Sequence, residues 1–275
     1  MAALIFVYLF LAILLLSGVI YFLKSGYLAH RLLHLKKLVT LRISLPQQHL
    51  SSAHDIGKTQ QLIENFSGFK GPVAVEFFTP PLHTAAHFHL AIPKGAIKFI
   101  TARLKKIWPN LRVESDSDAS FFHSGTTLKG AYLLRVSQEF ESMIDTEDPS
   151  FFIKLIKNFL KAKNIGESLI LQLIFEPTRL QPAKKIKGAK SIFLANLRIL
   201  AAATTEFQAD ELLNNLSSYF KNFKIHESPV FKVIKQRNPK KLVHQFVFRE
   251  IDQSQALFLT AREIAILSPL NASFN

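Results

Sequence analysis

The chain has 275 residues, no cysteine, and 34 Lys and Arg against 20 Asp and Glu, a formal net charge of +14. Without a thiol, disulfides, thiolate nucleophiles and Cys-type zinc sites are excluded. So strong a basic excess points to polyanionic partners, acidic headgroups or nucleic acid, or to a surface that is simply well solvated.

The chain opens with "MAALIFVYLFLAILLLSGVIYFL", which carries no charged side chain before Lys24. Residues 2–23 are long enough to cross about 30 Å of hydrocarbon as a helix. The stretch lacks the basic n-region and small-x-small site of a cleaved leader, so the reading is an uncleaved anchor. Lys24, Arg31, Lys36 and Lys37 follow closely. By the positive-inside rule they hold that flank, and with it the bulk of the chain, in the cytoplasm. Residues 1–36 are therefore expected to be a single-pass cell-membrane anchor with its basic juxtamembrane segment.

Next come a strand, "KKLVTLRISLP", and an amphipathic helix containing "HDIGKTQQL". Gly57, Lys58 and Thr59 resemble the end of a P-loop, but Ser52 stands where the first glycine is required and the preceding apolar run stops at Leu45. Ile56, Ile63 and Phe66 share one helix face, which puts Lys58 roughly 200° from Ile56, toward water. The strands "GPVAVEFF" and "AHFHLAIP" follow. A helix is then marked by Ile97, Ile100, Leu104 and Ile107, with Lys98, Arg103, Lys105 and Lys106 on its other faces and Pro109 as its stop. "LRVES" is the closing strand. The order β-α-β-β-α-β over 37–125 is that of a ferredoxin-like unit.

The same order recurs over 126–275. "GAYLLRVSQEF" is the strand, "PSFFIKLIKNFLKAK" the helix, and "SLILQLIFEP" with "SIFLANLRILAA" the central hairpin. Thr205 and Gln208 have capping-box spacing before a helix that buries Leu212, Leu213, Leu216, Phe220 and Phe223. "KIHESPVF", an extra strand "LVHQFVFREI" and a short helix around "TAREIAIL" complete the chain. The expected fold is α+β: the transmembrane helix, then two tandem ferredoxin-like repeats with antiparallel sheets.

Sites are sparse. His83, His87, His89 and His123 lack carboxylates at ligand spacing, so an edge or solvent-facing pair at His87 and His89 is a better reading than a metal centre. There is no G-x-S-x-G elbow and no RNA-recognition signature. No catalytic residue, cofactor or metal is assigned. Polyanion contacts are assigned to the helix stripe Lys154, Lys157 and Lys161 and to the loop lysines Lys184, Lys185, Lys187 and Lys190.

The succession "GESLILQLIFEP", "AKKIKGAKS", "NLRILAAATTEFQADELLNNLSSYFKNF", "FKVIKQRNPKKLVHQFVFREID" and "LFLTAREIAIL" resembles the region ahead of the motor in conjugative coupling-protein ATPases of type IV secretion systems. The likeness is greatest to versions from candidate-phyla bacteria, and "LVTLRISLP" with "HFHLAIPKGAIKFI" extends it over nearly the whole chain. The resemblance implies a DNA-pumping P-loop ATPase after a segment like "LTAREIAILSPLN". Here that motor is expected on a separate polypeptide, or lost. It implies a non-catalytic assembly or docking module whose partner is the conjugative ATPase or another secretion subunit, with contact to DNA and oligomerisation left open. The alternative is a stand-alone, membrane-tethered nucleic-acid-binding protein using the basic helix and loop.

Overall fold

The structure is a computed structural model, and it describes residues 13–21, 38–44, 53–80, 87–116, 125–136, 166–178, 191–221, 224–225, 228–229 and 231–268. The chain divides into two compact units, Met1–Leu38 and Val39–Asn275. In the first, residues 13–21 are helical (α1) and exposed, as they include Leu15 and Tyr21, 70% and 76% exposed. Among the described residues no helix is long and apolar enough to cross a membrane. The rest of the expected span lies outside them.

The second unit is mixed α+β. Its first half runs β1 (Leu38–Ser44), α2 (Ala53–Phe66), β2 (Val73–Thr79), β3 (His87–Pro93), a 3-10 turn, α3 (Ile97–Ile107) and β4 (Arg112–Ser115). Then come β5 (Thr127–Arg135), β6 (Ser168–Pro177), β7 (Ile192–Ala203) and α4 (Glu206–Lys221). A small hairpin of β8 (Lys224–Ile225) and β9 (Ser228–Pro229) precedes β10 (Phe231–Lys235), α5 (Pro239–Val247), β11 (Leu257–Thr260) and α6 (Ala261–Leu267).

Where a separate sheet was expected for each half, the described strands of both halves join in a single nine-stranded sheet, in the order β10-β5-β7-β6-β2-β3-β1-β4 with β11 on β7, beside the small β8–β9 hairpin. The join is the antiparallel pair β2 and β6, which runs in register from Val73 opposite Phe175 to Thr79 opposite Leu169. Leaving β11 aside, the order on the two sides of the join is the same: the strand entering each half lies between its third strand and the edge strand, β1 between β3 and β4 and β5 between β7 and β10. Both joining strands are apolar nearly throughout, as strands buried on two faces must be. Two edges that would each have been unpaired thus satisfy one another's backbone groups.

Alternate residues of each strand face the main core. On that face Leu169, Leu171, Leu173 and Phe175 of β6 and Phe193, Ala195, Leu197, Ile199, Ala201 and Ala203 of β7 pack with Leu62, Ile63 and Phe66 of α2, Ile100 and Leu104 of α3, Leu212, Leu213, Leu216 and Phe220 of α4 and Ile264 of α6. Phe175 sits at its middle, edge-on to Phe66 at 5.9 Å and to Phe193 at 5.5 Å. A fully buried ring of this size contributes about 1.5–3 kcal/mol from burial alone. On the opposite face α5 covers a smaller cluster of Phe78, Tyr132, Ile170, Leu200, Leu242 and Phe246.

Gly130 of β5 explains how α5 comes so close. A methyl group there would overlap Leu242 Cδ2 and reach within 2.7 Å of Leu200 Cδ2. The helix therefore rests on bare backbone.

Several expectations change. "LVHQFVF" is the helix α5, not an extra strand: Asn238 accepts a hydrogen bond from the Lys240 N–H as its N-cap, and Pro239 occupies the first turn. Leu242 and Phe246, four apart, share the face that is buried, as helical periodicity requires. "LFLT" forms the short strand β11, paired with Ile192 to Ala195. Gly57, Lys58 and Thr59 lie inside α2, as the sequence suggested, but Lys58 is half-buried rather than in water and Thr59 is fully buried. Thr205 and Gln208 do form the reciprocal capping box, with Gln208 N donating to Thr205 Oγ1 at 3.3 Å and Thr205 N to Gln208 Oε1 at 3.2 Å.

Candidate functional site

A single row of polar side chains crosses the face of the sheet that α5 covers. The register sets His89 of β3 opposite Glu76 of β2, Glu76 opposite Gln172 of β6, Gln172 opposite Arg198 of β7 and Arg198 opposite Tyr132 of β5. His89, Glu76, Gln172 and Arg198 are completely buried, and Tyr132 is 2% exposed. Each lies within the buried part of its strand, where a polar residue without partners costs several kcal/mol. The partners come from along the row and from the segment 245–256 lying over it.

Gln172 Nε2 donates to Glu76 Oε1 at 2.9 Å and to the Phe246 carbonyl at 3.1 Å, while its Oε1 accepts from Arg198 Nη1 at 3.0 Å. Arg249 reaches down from beyond α5 and grips both Glu76 oxygens, Nε to Oε1 at 2.9 Å and Nη2 to Oε2 at 3.0 Å. Arg198 also donates to the Gln245 carbonyl at 2.9 Å, to Asn196 Oδ1 at 2.8 Å and to the Glu250 carbonyl, and it lies 5.5 Å from the Tyr132 ring centroid. The Tyr132 hydroxyl donates to Gln245 Oε1. Asn196 holds the far end of the segment, accepting from the Asp252 N–H at 2.6 Å and donating to the Gln255 carbonyl at 2.8 Å.

The electrostatics are uneven along the row. Glu76 is neutralised bidentately by Arg249. Arg198 meets only neutral oxygens, with no carboxylate at ion-pair distance among the described residues, and burial pulls its pKa below the usual guanidinium range. Burial pushes the Tyr132 hydroxyl up to about 12. Burial also lowers His89, against the opposing pull of Glu76 and of Asp116, whose Oδ2 lies 3.1 Å from Nε2. At the rim, burial would raise Asp252, but hydrogen bonds from Lys241, Ser254 and Gln245 more than offset it and hold the carboxyl well below the usual range.

His, Glu, Arg and Tyr in line are the groups that general acid–base chemistry uses. Here Glu76, Gln172, Arg198 and Tyr132 are committed to one another and to side chains and carbonyls of residues 245–250, so these four work as a clamp holding that segment on the sheet, while His89 at the end of the row lies against Asp116. The reading of His89 as edge or solvent-facing fails because β3 is an inner strand and His89 faces Phe78, ring centroids 4.9 Å apart. The His87 side chain, His83 and His123 lie outside the described residues, as do Lys154, Lys157, Lys161, Lys184, Lys185, Lys187 and Lys190. Among the described residues no group of three or more metal-ligating side chains occurs. Sequence reasoning missed the row; its signal was a polar residue among apolar neighbours, Glu76 in "VAVEFFT", Gln172 in "LILQLIF" and Arg198, with Asn196, in "FLANLRIL".

No known protein-family model matches the chain, and no curated protein does. A mutant chlorite dismutase from Candidatus Nitrospira defluvii is similar over 76% of this chain and 94% of its own, at 8% identity and a TM-score of 0.21. A likeness that low carries no argument about fold or function.

Proposed function

We propose that the chain is a membrane-anchored, non-catalytic docking module for the ATPase of a type IV secretion, DNA-transferring system. In this reading residues 2–23 cross the membrane once and the sheet domain lies in the cytoplasm. The domain is then two tandem ferredoxin-like repeats joined at β2 and β6, a reading supported by the equal strand order on the two sides of the join.

The observation that carries the proposal is the fate of "LFLTAREIAIL". In the family the sequence resembles, a motor follows such a segment; in this chain β11 pairs with β7, and α6 contributes Ala261, Ile264 and Leu267 to the main core. A partner engaged near α6 would be positioned by the body of the domain rather than by a loose tether. The internally committed polar row supports a positioning role over turnover.

Affinity capture of the full chain from detergent-solubilised membranes tests this. The expected result is co-purification of a P-loop ATPase of the DNA-translocating class. Capture of the intact chain without any such ATPase would contradict it. The net charge of +14 favours, as a second reading, a stand-alone membrane-tethered nucleic-acid-binding protein acting through Lys154, Lys157, Lys161 and the lysines of 184–190.

A further inference from the structure

The stretch from Lys94 to Arg112 contains Lys94, Lys98, Arg103, Lys105, Lys106 and Arg112 and no acidic residue. The structure makes most of it the helix α3, whose inner side, Ile100 and Leu104, is sunk in the main core. Its outer side is exposed at Lys98, Phe99, Ala102, Arg103, Lys105 and Lys106. None of these cations has a carboxylate at ion-pair distance among the described residues, whereas Lys129, Arg135, Lys241 and Arg249 all do.

At 100° per residue the order around the helix axis is Lys105, Lys98, Ala102, Lys106, Phe99, Arg103, an arc of roughly 160°. Small Ala102 lies near its middle. Phe99 is 41% exposed, braced by Phe69 at 5.6 Å, and Arg103 lies 5.3 Å from its centroid. Phe69 leads into the exposed Lys70. A flat anionic surface would touch a helix along one narrow stripe and leave half of this arc unused. A concave anion with two charged walls uses all of it: the major groove of a duplex is about 12 Å wide, admits a helix, and is bordered by phosphate rows on both sides.

We infer that the outer face of α3 is a duplex nucleic-acid contact, with Lys98 and Lys105 on one phosphate wall, Arg103 on the other, and Lys106 and Phe99 toward the groove. The surface is distinct from the lysines of 154–190, and the inference does not depend on the docking reading. Lysine and arginine contacts to backbone phosphates carry no sequence information, so binding through this face is expected to depend on charge rather than on sequence.

The test is fluorescence anisotropy of the full chain in non-ionic detergent with a short labelled DNA duplex, titrated at several salt concentrations. The variant removes the four charges together, Lys98→Ala, Arg103→Ala, Lys105→Ala and Lys106→Ala; a comparator removes the exposed Lys221, Lys232 and Lys240. All are surface positions, and circular dichroism melting establishes that both proteins fold. The α3 variant should bind about tenfold or more weakly, and its log–log salt slope should shrink by about 0.9 for each phosphate that is no longer neutralised. The comparator should shift much less. Wild-type affinity in the α3 variant, or equal losses in both, would overturn the inference. So would wild-type protein that ignores the duplex yet binds micelles doped with phosphatidylglycerol through these same side chains, which would make the face a lipid contact.

Discussion

Arg249 grips Glu76 with two parallel hydrogen bonds across 173 positions of sequence, and it does so from a left-handed backbone conformation, φ 49°. That conformation is the C-terminal lock of α5: Glu250 N donates to the Gln245 carbonyl at 2.9 Å and Arg249 N to the Phe246 carbonyl at 3.2 Å. This is the Schellman arrangement, in which glycine is the usual residue. Arginine stands there because its side chain, leaving the backbone at that angle, reaches the only carboxylate in the buried row.

Removing the guanidinium separates the two roles. Arg249→Ala should cost about 3–5 kcal/mol, since Glu76 would remain buried without its countercharge. Arg249→Gly should cost roughly 1 kcal/mol less than Arg249→Ala, because glycine adopts positive φ without penalty. Urea unfolding followed by circular dichroism gives both values; equal losses would show that the backbone at this position is not strained.

Gly130→Ala should destabilise by about 1–3 kcal/mol through overlap with Leu242. Because the closest of the overlaps is with Leu242 and the next, at 2.7 Å, is with Leu200 Cδ2, the penalty should shrink but not vanish when measured in a Leu242→Ala background. A double-mutant cycle with no coupling would contradict the close approach of α5 to β5.

His89 makes stability depend on pH in a definite direction. Its folded pKa lies below the ordinary 6.5, so the unfolded chain takes up the proton first. Stability is therefore constant above that value and falls as pH drops from about 6.5 toward the folded pKa. Asp252 has a folded pKa below 3.8, so its contribution is present above pH 4 and is lost on further acidification. Chemical denaturation of wild type and His89→Gln between pH 4 and 8 should show the first loss in the wild type alone. A wild type whose stability rises on acidification through 6.5 would have its histidine paired as a cation.

Much of the fold was legible because local chemistry stated it. The strands around Val75, Leu171 and Ile199 are apolar runs bounded by turn residues, and α3 and α4 show their buried stripes directly. What escaped depends on tertiary contact. Nothing near Val73 or Phe175 announces that two edges pair with each other, since either strand would look the same on an inner position of a separate sheet. Asn238 and Pro239 do announce α5, as an N-cap followed by a proline in the first turn. The polar row is invisible residue by residue, because a Glu or Arg in an apolar strand becomes a site only when register aligns it with four others.

The central claim, a docking module for a DNA-translocating ATPase, is tested most directly by placing a photo-crosslinking amino acid at Arg262, the exposed position of α6. Irradiation of intact membranes should yield an adduct containing a P-loop ATPase, and the same substitution at exposed Lys221 should not. An intact, membrane-associated chain that forms no ATPase adduct at Arg262 would contradict the account.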